Sequence, residues 1–177
     1  CGGIATNCSA SSGTVQLAYT ADQWGIAAAY NYASGDNGMS LSLTNSTPFA
    51  STLSQLGTSN SVGVSAYWSP QKSGLIPSVS TGWGLNSTNL DVERFPDYNS
   101  TTSQSWYLGL QWADAFVKGN TLGMAVGQPT FVTSIDADGE NPWVGDGNYA
   151  WEWWYMFQIT DNISITPALY YLSRPLG

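Results

Sequence analysis

The sequence predicts an all-β protein, the wall of an antiparallel transmembrane β-barrel carrying about eight strands. Three observations predict it. Large apolar and aromatic residues recur at every second position, as they do when successive side chains point to opposite faces of a strand. The connections between these runs alternate strictly between short and long, the pattern of barrels with tight turns on one side of a membrane and loops on the other. Of 177 residues, 9 % are charged and 14 % aromatic, nine of them Trp, while mean hydropathy is close to zero. No run approaches the roughly 18 apolar residues of a membrane helix, so the apolar signal is carried by alternation alone.

The clearest run is NYAWEWWYMFQITDNISITPALYY, residues 148–171. Tyr149, Trp151, Trp153, Tyr155 and Phe157 form one face, and Ala150, Glu152, Trp154, Met156 and Gln158 the other. Thr160, Asp161 and Asn162 make a turn. Ile163, Ile165, Pro167, Leu169 and Tyr171 then resume the apolar face, opposite Ser164, Thr166, Ala168 and Tyr170. Two alternating runs about a short turn are a hairpin, with arms of about 9–10 residues, the length a tilted strand needs to cross a bilayer.

Taken in order, the first run (residues 14–20) turns Val15, Leu17 and Tyr19 outward and Gln16 inward. After a three-residue turn, Trp24, Ile26, Ala28, Tyr30 and Tyr32 point out, and Gly25, Ala27, Ala29 and Asn31 point in. Residues 34–60 form a long connection. The third run (61–69) opposes Val62, Val64, Ala66 and Trp68 to Gly63, Ser65 and Tyr67, and the fourth sets Leu75, Pro77, Val79, Thr81 and Trp83 outward. A long polar connection spans 86–103. The fifth run sets Trp106, Leu108, Leu110 and Trp112 against Tyr107, Gly109 and Gln111. The sixth sets Leu122, Met124 and Val126 against Gly123, Ala125 and Gly127, and residues 128–147 are a long acidic loop. Pro77 and Pro167 each predict a bulge or local edge, since proline removes a ladder donor. Trp24, Trp68, Trp112 and Phe157 fall at short-turn ends; Tyr32, Trp83, Trp106, Tyr149 and Tyr171 fall at long-loop ends. These predict two interfacial girdles.

The inward face supplies the candidate pore lining: Gln16, Asn31, Tyr67, Tyr107, Gln111, Glu152, Trp154 and Gln158. Its aromatics offer either flat surfaces for sugars or packing for a loop folded inward. Glu152 is the one acid inside a predicted strand, and no strand supplies the second carboxylate of a hydrolase. With no His, a His-based triad and a Cys/His zinc cluster are excluded, and neither catalysis, a metal nor a cofactor is expected. The candidate acidic mouth is Asp91, Glu93, Asp97, Asp136, Asp138, Glu140 and Asp146. With Asp36, and against Arg94 alone, these loops hold seven of the eight net negative charges. Such a mouth concentrates cations and repels anions. The 136–141 stretch has carboxylates two apart but lacks the later bidentate Glu of a calcium loop. A Cys1–Cys8 disulfide is expected in an oxidising compartment, with two free thiols as the alternative.

GNTLGMAVGQPTFV (119–132) and YMFQITDNISITPALYYLSRPLG (155–177) resemble the closing hairpins of cyanobacterial porins of the carbohydrate-selective (OprB-type) family. SVGVSAYWSP and LIPSVSTGWG, within 61–84, resemble an earlier hairpin of the same family. The resemblance implies a larger barrel of about sixteen or more strands, of which residues 1–177 are part of one domain. It also implies a homotrimer in the outer membrane of a Gram-negative-type, cyanobacterial envelope. Small hydrophilic solutes and inorganic ions would cross it, with outer-membrane lipid around it and no nucleic-acid partner. Peptidoglycan would be reached only through an S-layer-homology segment outside this stretch, and terminal strands are expected beyond it. A secreted, soluble β-sandwich that binds carbohydrate is the alternative. For residues 34–60, apolar Met39, Leu41, Leu43, Phe49, Leu53 and Leu56 predict burial rather than disorder. That burial is either inside the barrel, against the inward aromatics, or on a neighbouring subunit.

Overall fold

A computed structural model describes residues 10–34, 46–72, 74–91, 93, 97–138, 140, 142 and 144–174. Strands β1 (Ser11–Thr20), β2 (Trp24–Ser34), β3 (Gly57–Trp68), β4 (Ser78–Leu90), β5 (Ser100–Ala113), β6 (Thr121–Asp136) and β7 (Ala150–Thr160) follow one another as an antiparallel meander. Strands β8 (Ile163–Ile165) and β9 (Ala168–Leu172) both pair with β7, end to end, and act as one interrupted strand. Pro167 causes the interruption. Tyr155 N donates to Pro167 O at 3.1 Å, but proline has no N–H with which to return the bond. Pro77 has a matching effect: β4 starts one residue after it, not at Leu75 as the alternation predicts.

Cross-strand register puts the predicted outward residues on one continuous face. Tyr19, Ile26, Ala66, Thr81, Leu108 and Val126 are successive partners across six strands. Leu122 pairs with Tyr155, Met124 with Trp153, and Trp153 with Leu169. A one-residue slip would invert a strand, and no pairing inverts one. The outward face is bare: Leu17 is 76 % exposed, Trp153 45 % and Leu169 72 %. A soluble sandwich would cover it with a second sheet, and among the described residues there is none. Among the described residues no helix is long and apolar enough to cross a membrane.

β1 starts three residues before its predicted run, and four further strands run past their predicted ends. β3 starts at Gly57, β4 continues to Leu90, β5 begins at Ser100, and β6 continues to Asp136. These extensions lie in stretches predicted as loops. Outward Asn60, Ser87 and Thr102 pair with one another, and inward Ser59, Thr88 and Thr101 do the same. With both faces polar, alternation carries no apolar signal. Register shifts at Thr102/Ser103 and Gln104/Trp106 bend β5 against β6 at the start of this upper section.

Helix α1 (Pro48–Ser54) covers the inward face of the upper section. Thr47 caps it by accepting Ala50 N at 3.1 Å, and Pro48 takes the first-turn position where no N–H is needed. Ala50 and Leu53 pack on Val132, Ile135 and Val144. Val132 pairs with Ser103 and Ser103 with Asn86, so this core sits on the same face as Asn31 and Ser61. Residues 46–56 therefore fold onto the polar side, as expected for the inward alternative. Their apolar contacts are with β6 and Val144 rather than the inward aromatics, and Phe49, expected to be buried, is 42 % exposed. Met39, Leu41 and Leu43 lie outside the described residues.

Candidate functional site

The inward face is concave. A cleft of about 500 Å³ is lined by residues from β1 (Gln16) to β9 (Tyr170), including Tyr107 and Glu152. Edge strands of a flat sheet cannot share one cleft. The two edges, β1 and the β8/β9 strand, are not paired with each other.

All eight predicted lining residues fall on this face by register. Gln16 faces Ala29; Glu152 sits between Ala125 and Tyr170; Trp154 sits between Gly123 and Ala168. The cleft brings Gln16, Tyr107, Glu152 and Tyr170 together. Tyr67, Gln111, Trp154 and Gln158 lie on the same face but outside that cleft, nearer the short turns. Gln158 is occupied in the turn, donating through Nε2 to Thr160 O at 2.6 Å. Asn31 is 2 % exposed and donates to Thr14 Oγ1 at 2.9 Å. Glu152 is half-buried, and no partner for its carboxylate is found among the described residues. It is the single carboxylate of the cleft lining, which holds no lysine or arginine.

The acids of the candidate mouth stand at the long-connection end. Asp91, Glu93, Asp97, Asp138 and Glu140 are exposed and Asp136 is half-buried. Asp91 Oδ1 accepts Glu93 N at 3.0 Å. Among the described residues, no group of three or more acids, cysteines or histidines is placed to hold a metal ion. Asp146 differs from the other acids, being 5 % exposed. Its Oδ2 accepts Thr47 Oγ1 at 2.6 Å and Val132 N at 2.8 Å. Cys1 and Cys8 lie outside the described residues.

The role of Asp146 follows from an unfinished strand edge. Pairing of β6 with β7 stops at Gly127–Ala150, so the upper part of β6 lacks a neighbour on that side. Thr47 N donates to Thr130 O at 2.8 Å, and Ser46 bridges Thr130 in parallel. Asp146 takes the next donor, Val132 N. One carboxylate oxygen thus joins the cap of α1, the edge of β6 and the third long connection.

A polar ladder continues beneath the helix. Ser59 Oγ bonds Thr88 Oγ1 at 2.7 Å, and Ser61 Oγ donates to Asn86 Oδ1 at 2.7 Å. Ser59 Oγ also reaches Ser54 O of α1 at 3.3 Å. These residues were legible only as loop or strand polarity. The Thr47-Pro48 pair was the available helix-start signal.

The aromatic ends of the strands behave as interfacial residues do, with an apolar body and a polar tip that finds a partner. Near the short turns, Trp112 Nε1 donates to Leu75 O at 3.1 Å and Tyr155 OH to Ala115 O at 2.7 Å. Toward the long loops, Trp106 Nε1 donates to Gln128 Oε1 at 2.7 Å and packs edge-on against Tyr149.

No solved structure matches the chain. An uncharacterized protein of Synechocystis sp. is 32 % identical over 107 residues, 58 % of this chain and 19 % of that protein. An uncharacterized protein of Nostoc sp. is 30 % identical over 155 residues, 81 % of this chain and 23 % of that protein. The chain thus spans about a fifth of the length of these cyanobacterial relatives. The family described as carbohydrate-selective porin, OprB family, matches residues 10–177. A bare apolar face, a concave polar face and this match lead to one assignment: the chain belongs to the OprB family of carbohydrate-selective, outer-membrane porins.

Proposed function

We propose that this chain forms part of the wall of a water-filled channel for passive diffusion of small hydrophilic solutes and inorganic ions. It acts as a channel rather than an enzyme. The carrying observation is the division of one sheet into a bare apolar face and a concave polar face on which residues 46–56 are docked. The apolar face meets lipid, the polar face meets water, and the docked segment narrows the passage.

Cations are favoured at the outer end. Exposed Asp91, Glu93, Asp97, Asp138 and Glu140 support this reading, because a cluster of like charges raises local counter-ion concentration. The effect weakens as salt shortens the Debye length from roughly 10 Å at 0.1 M to 3 Å at 1 M. Glu152 adds a carboxylate further down the same wall. Three copies assemble, as in the resemblance drawn from the closing hairpins.

Planar-bilayer recording of the whole porin tests these statements separately. Reversal potentials in a potassium chloride gradient should show cation preference, strongest at low salt. Neutralising Asp136, Asp138 and Glu140 together should reduce it; an unchanged preference places the selectivity elsewhere. Deleting residues 48–56 should raise single-channel conductance. Unchanged conductance with loss of the trimer on a non-denaturing gel would instead make this segment a subunit latch.

A further inference from the structure

The inward aromatics have an arrangement that alternation alone does not reveal. Tyr67 on β3 pairs with Gly25 on β2, Tyr107 on β5 with Gly82 on β4, and Trp154 on β7 with Gly123 on β6. In each pair the ring occupies the space a side chain on the glycine would fill. A Cβ added at Gly25 would meet Tyr67 Cε1 at 2.5 Å, and one at Gly82 would meet Tyr107 Cε1 at 2.5 Å. At Gly123 it would fall inside the indole, between Cε2 and Cζ2. None of the three glycines has positive φ, so the backbone does not require glycine there. Glycine weakens a strand interior, and an aromatic lying across a cross-strand glycine offsets that cost.

We infer that Gly25, Gly82 and Gly123 set the bore of the channel by parking these three rings flat against the wall. Each ring lies over the glycine of the neighbouring strand; Tyr67 and Tyr107 remain 45 % and 44 % exposed. Filling the hollow beneath a ring leaves it one direction to move, away from the wall. The atoms met belong to rings that turn on their own side-chain torsions, not to backbone, so the ring yields before the strand does. The three glycines are therefore positioning residues for solute size.

Other glycines of the same face provide the controls. A Cβ at Gly63 would meet nothing within 4 Å, so Gly63→Ala adds a methyl to the wall and moves no ring. A Cβ at Gly127 would strike backbone, with Tyr107 Cα at 3.0 Å, so Gly127→Ala attacks the strand itself.

This inference rests on the channel reading, and single-channel recording of the whole porin separates the two. No channel in the wild type would defeat that reading. With wild-type channels present, Gly123→Ala and Gly82→Ala are expected to lower conductance and the permeability of larger sugars, while Gly63→Ala matches wild type. Heat-modifiable gel mobility should show Gly123→Ala barrels as folded as wild type and Gly127→Ala barrels impaired. The double variant Gly123→Ala/Trp154→Ala should return conductance to at least the wild-type value, because no ring remains to be displaced. Folded Gly123→Ala barrels with wild-type conductance would overturn the inference. So would a double variant that stays as restricted as Gly123→Ala alone.

Discussion

Replacing Asp146 with alanine should release α1 from the wall. The carboxylate is 5 % exposed and accepts two hydrogen bonds on one oxygen, from Thr47 Oγ1 at 2.6 Å and Val132 N at 2.8 Å. Buried hydrogen bonds to a charged group contribute about 1.5–3 kcal/mol each. The apolar part of the docking is small: Ala50 and the half-buried Leu53 against Val132, Ile135 and Val144, worth about 1.5–3 kcal/mol for the leucine at most. Losing both polar bonds, roughly 3–5 kcal/mol together after relaxation, therefore removes a large share of what holds the segment, leaving Thr47 N on Thr130 O and Ser59 Oγ on Ser54 O. That is about two to three and a half decades in the docked-to-undocked ratio, since each 1.4 kcal/mol is tenfold. Asparagine is a finer probe. Its amide oxygen can take the position that accepts both bonds, so Asp146→Asn loses the charge assistance and keeps the geometry, a cost of about 1 kcal/mol per bond. A cysteine at Ala50, 2 % exposed, placed in a background with Cys1 and Cys8 changed to serine, reports the opening. Its reaction with a water-soluble maleimide should be slow in the parent, intermediate with Asp146→Asn and fastest with Asp146→Ala. An Asp146→Ala protein labelled no faster than its parent would refute the reasoning.

Face assignment makes a separate prediction: Trp153→Arg should cost about 2–4 kcal/mol of unfolding free energy in lipid, whereas Glu152→Arg, facing water, should cost less than about 1 kcal/mol. Equal losses in denaturant titrations would reverse or erase the orientation. Tyr155→Phe should cost about 1–3 kcal/mol, because Ala115 O and Asn120 Nδ2 both lose their bond to the phenol oxygen; native-state hydrogen exchange should localise the loosening to the turn between β5 and β6, and uniform protection would count against it.

The membrane part of this fold was legible because its two faces differ in chemistry. Val64, Trp83 and Trp106 share a row, and each was assignable from its own strand without its neighbours. Proline was equally readable: Pro167 broke the last strand where its missing donor required. Above the aromatic ends the same method failed, because Asn60, Ser87 and Thr102 are as polar as the inward residues beside them. Strand character there rests on backbone pairing and on burial of the inward Ser59, Thr88 and Thr101, and neither leaves a periodic mark. In sequence Asp146 reads as one more acid of the mouth, because loop acids are ordinarily solvated; its partner Thr47 is 99 residues away, beyond any local signal. The glycine partners of the inward rings were visible one by one, but the pairing of Gly123 with Trp154 required the register.

The chain is therefore held by two different solvents, and this decides how it responds to change. Between the aromatic ends, the outward side chains owe their stability to lipid and the inward ones have little to bury. Substitution there is felt as unfolding when it faces out and costs less stability when it faces in. Above the upper aromatics neither face meets hydrocarbon. Order there comes from the serine, threonine and asparagine bonds between β3, β4 and β5, and from α1 closing over them. The two sections share strands but not their sources of free energy. Removing Asp146 can thus free residues 46–56 while the membrane-spanning rows, whose pairings do not involve α1, stay in register. The attachment of residues 46–56 is thus tuned by one buried carboxylate, independently of the wall that supports it.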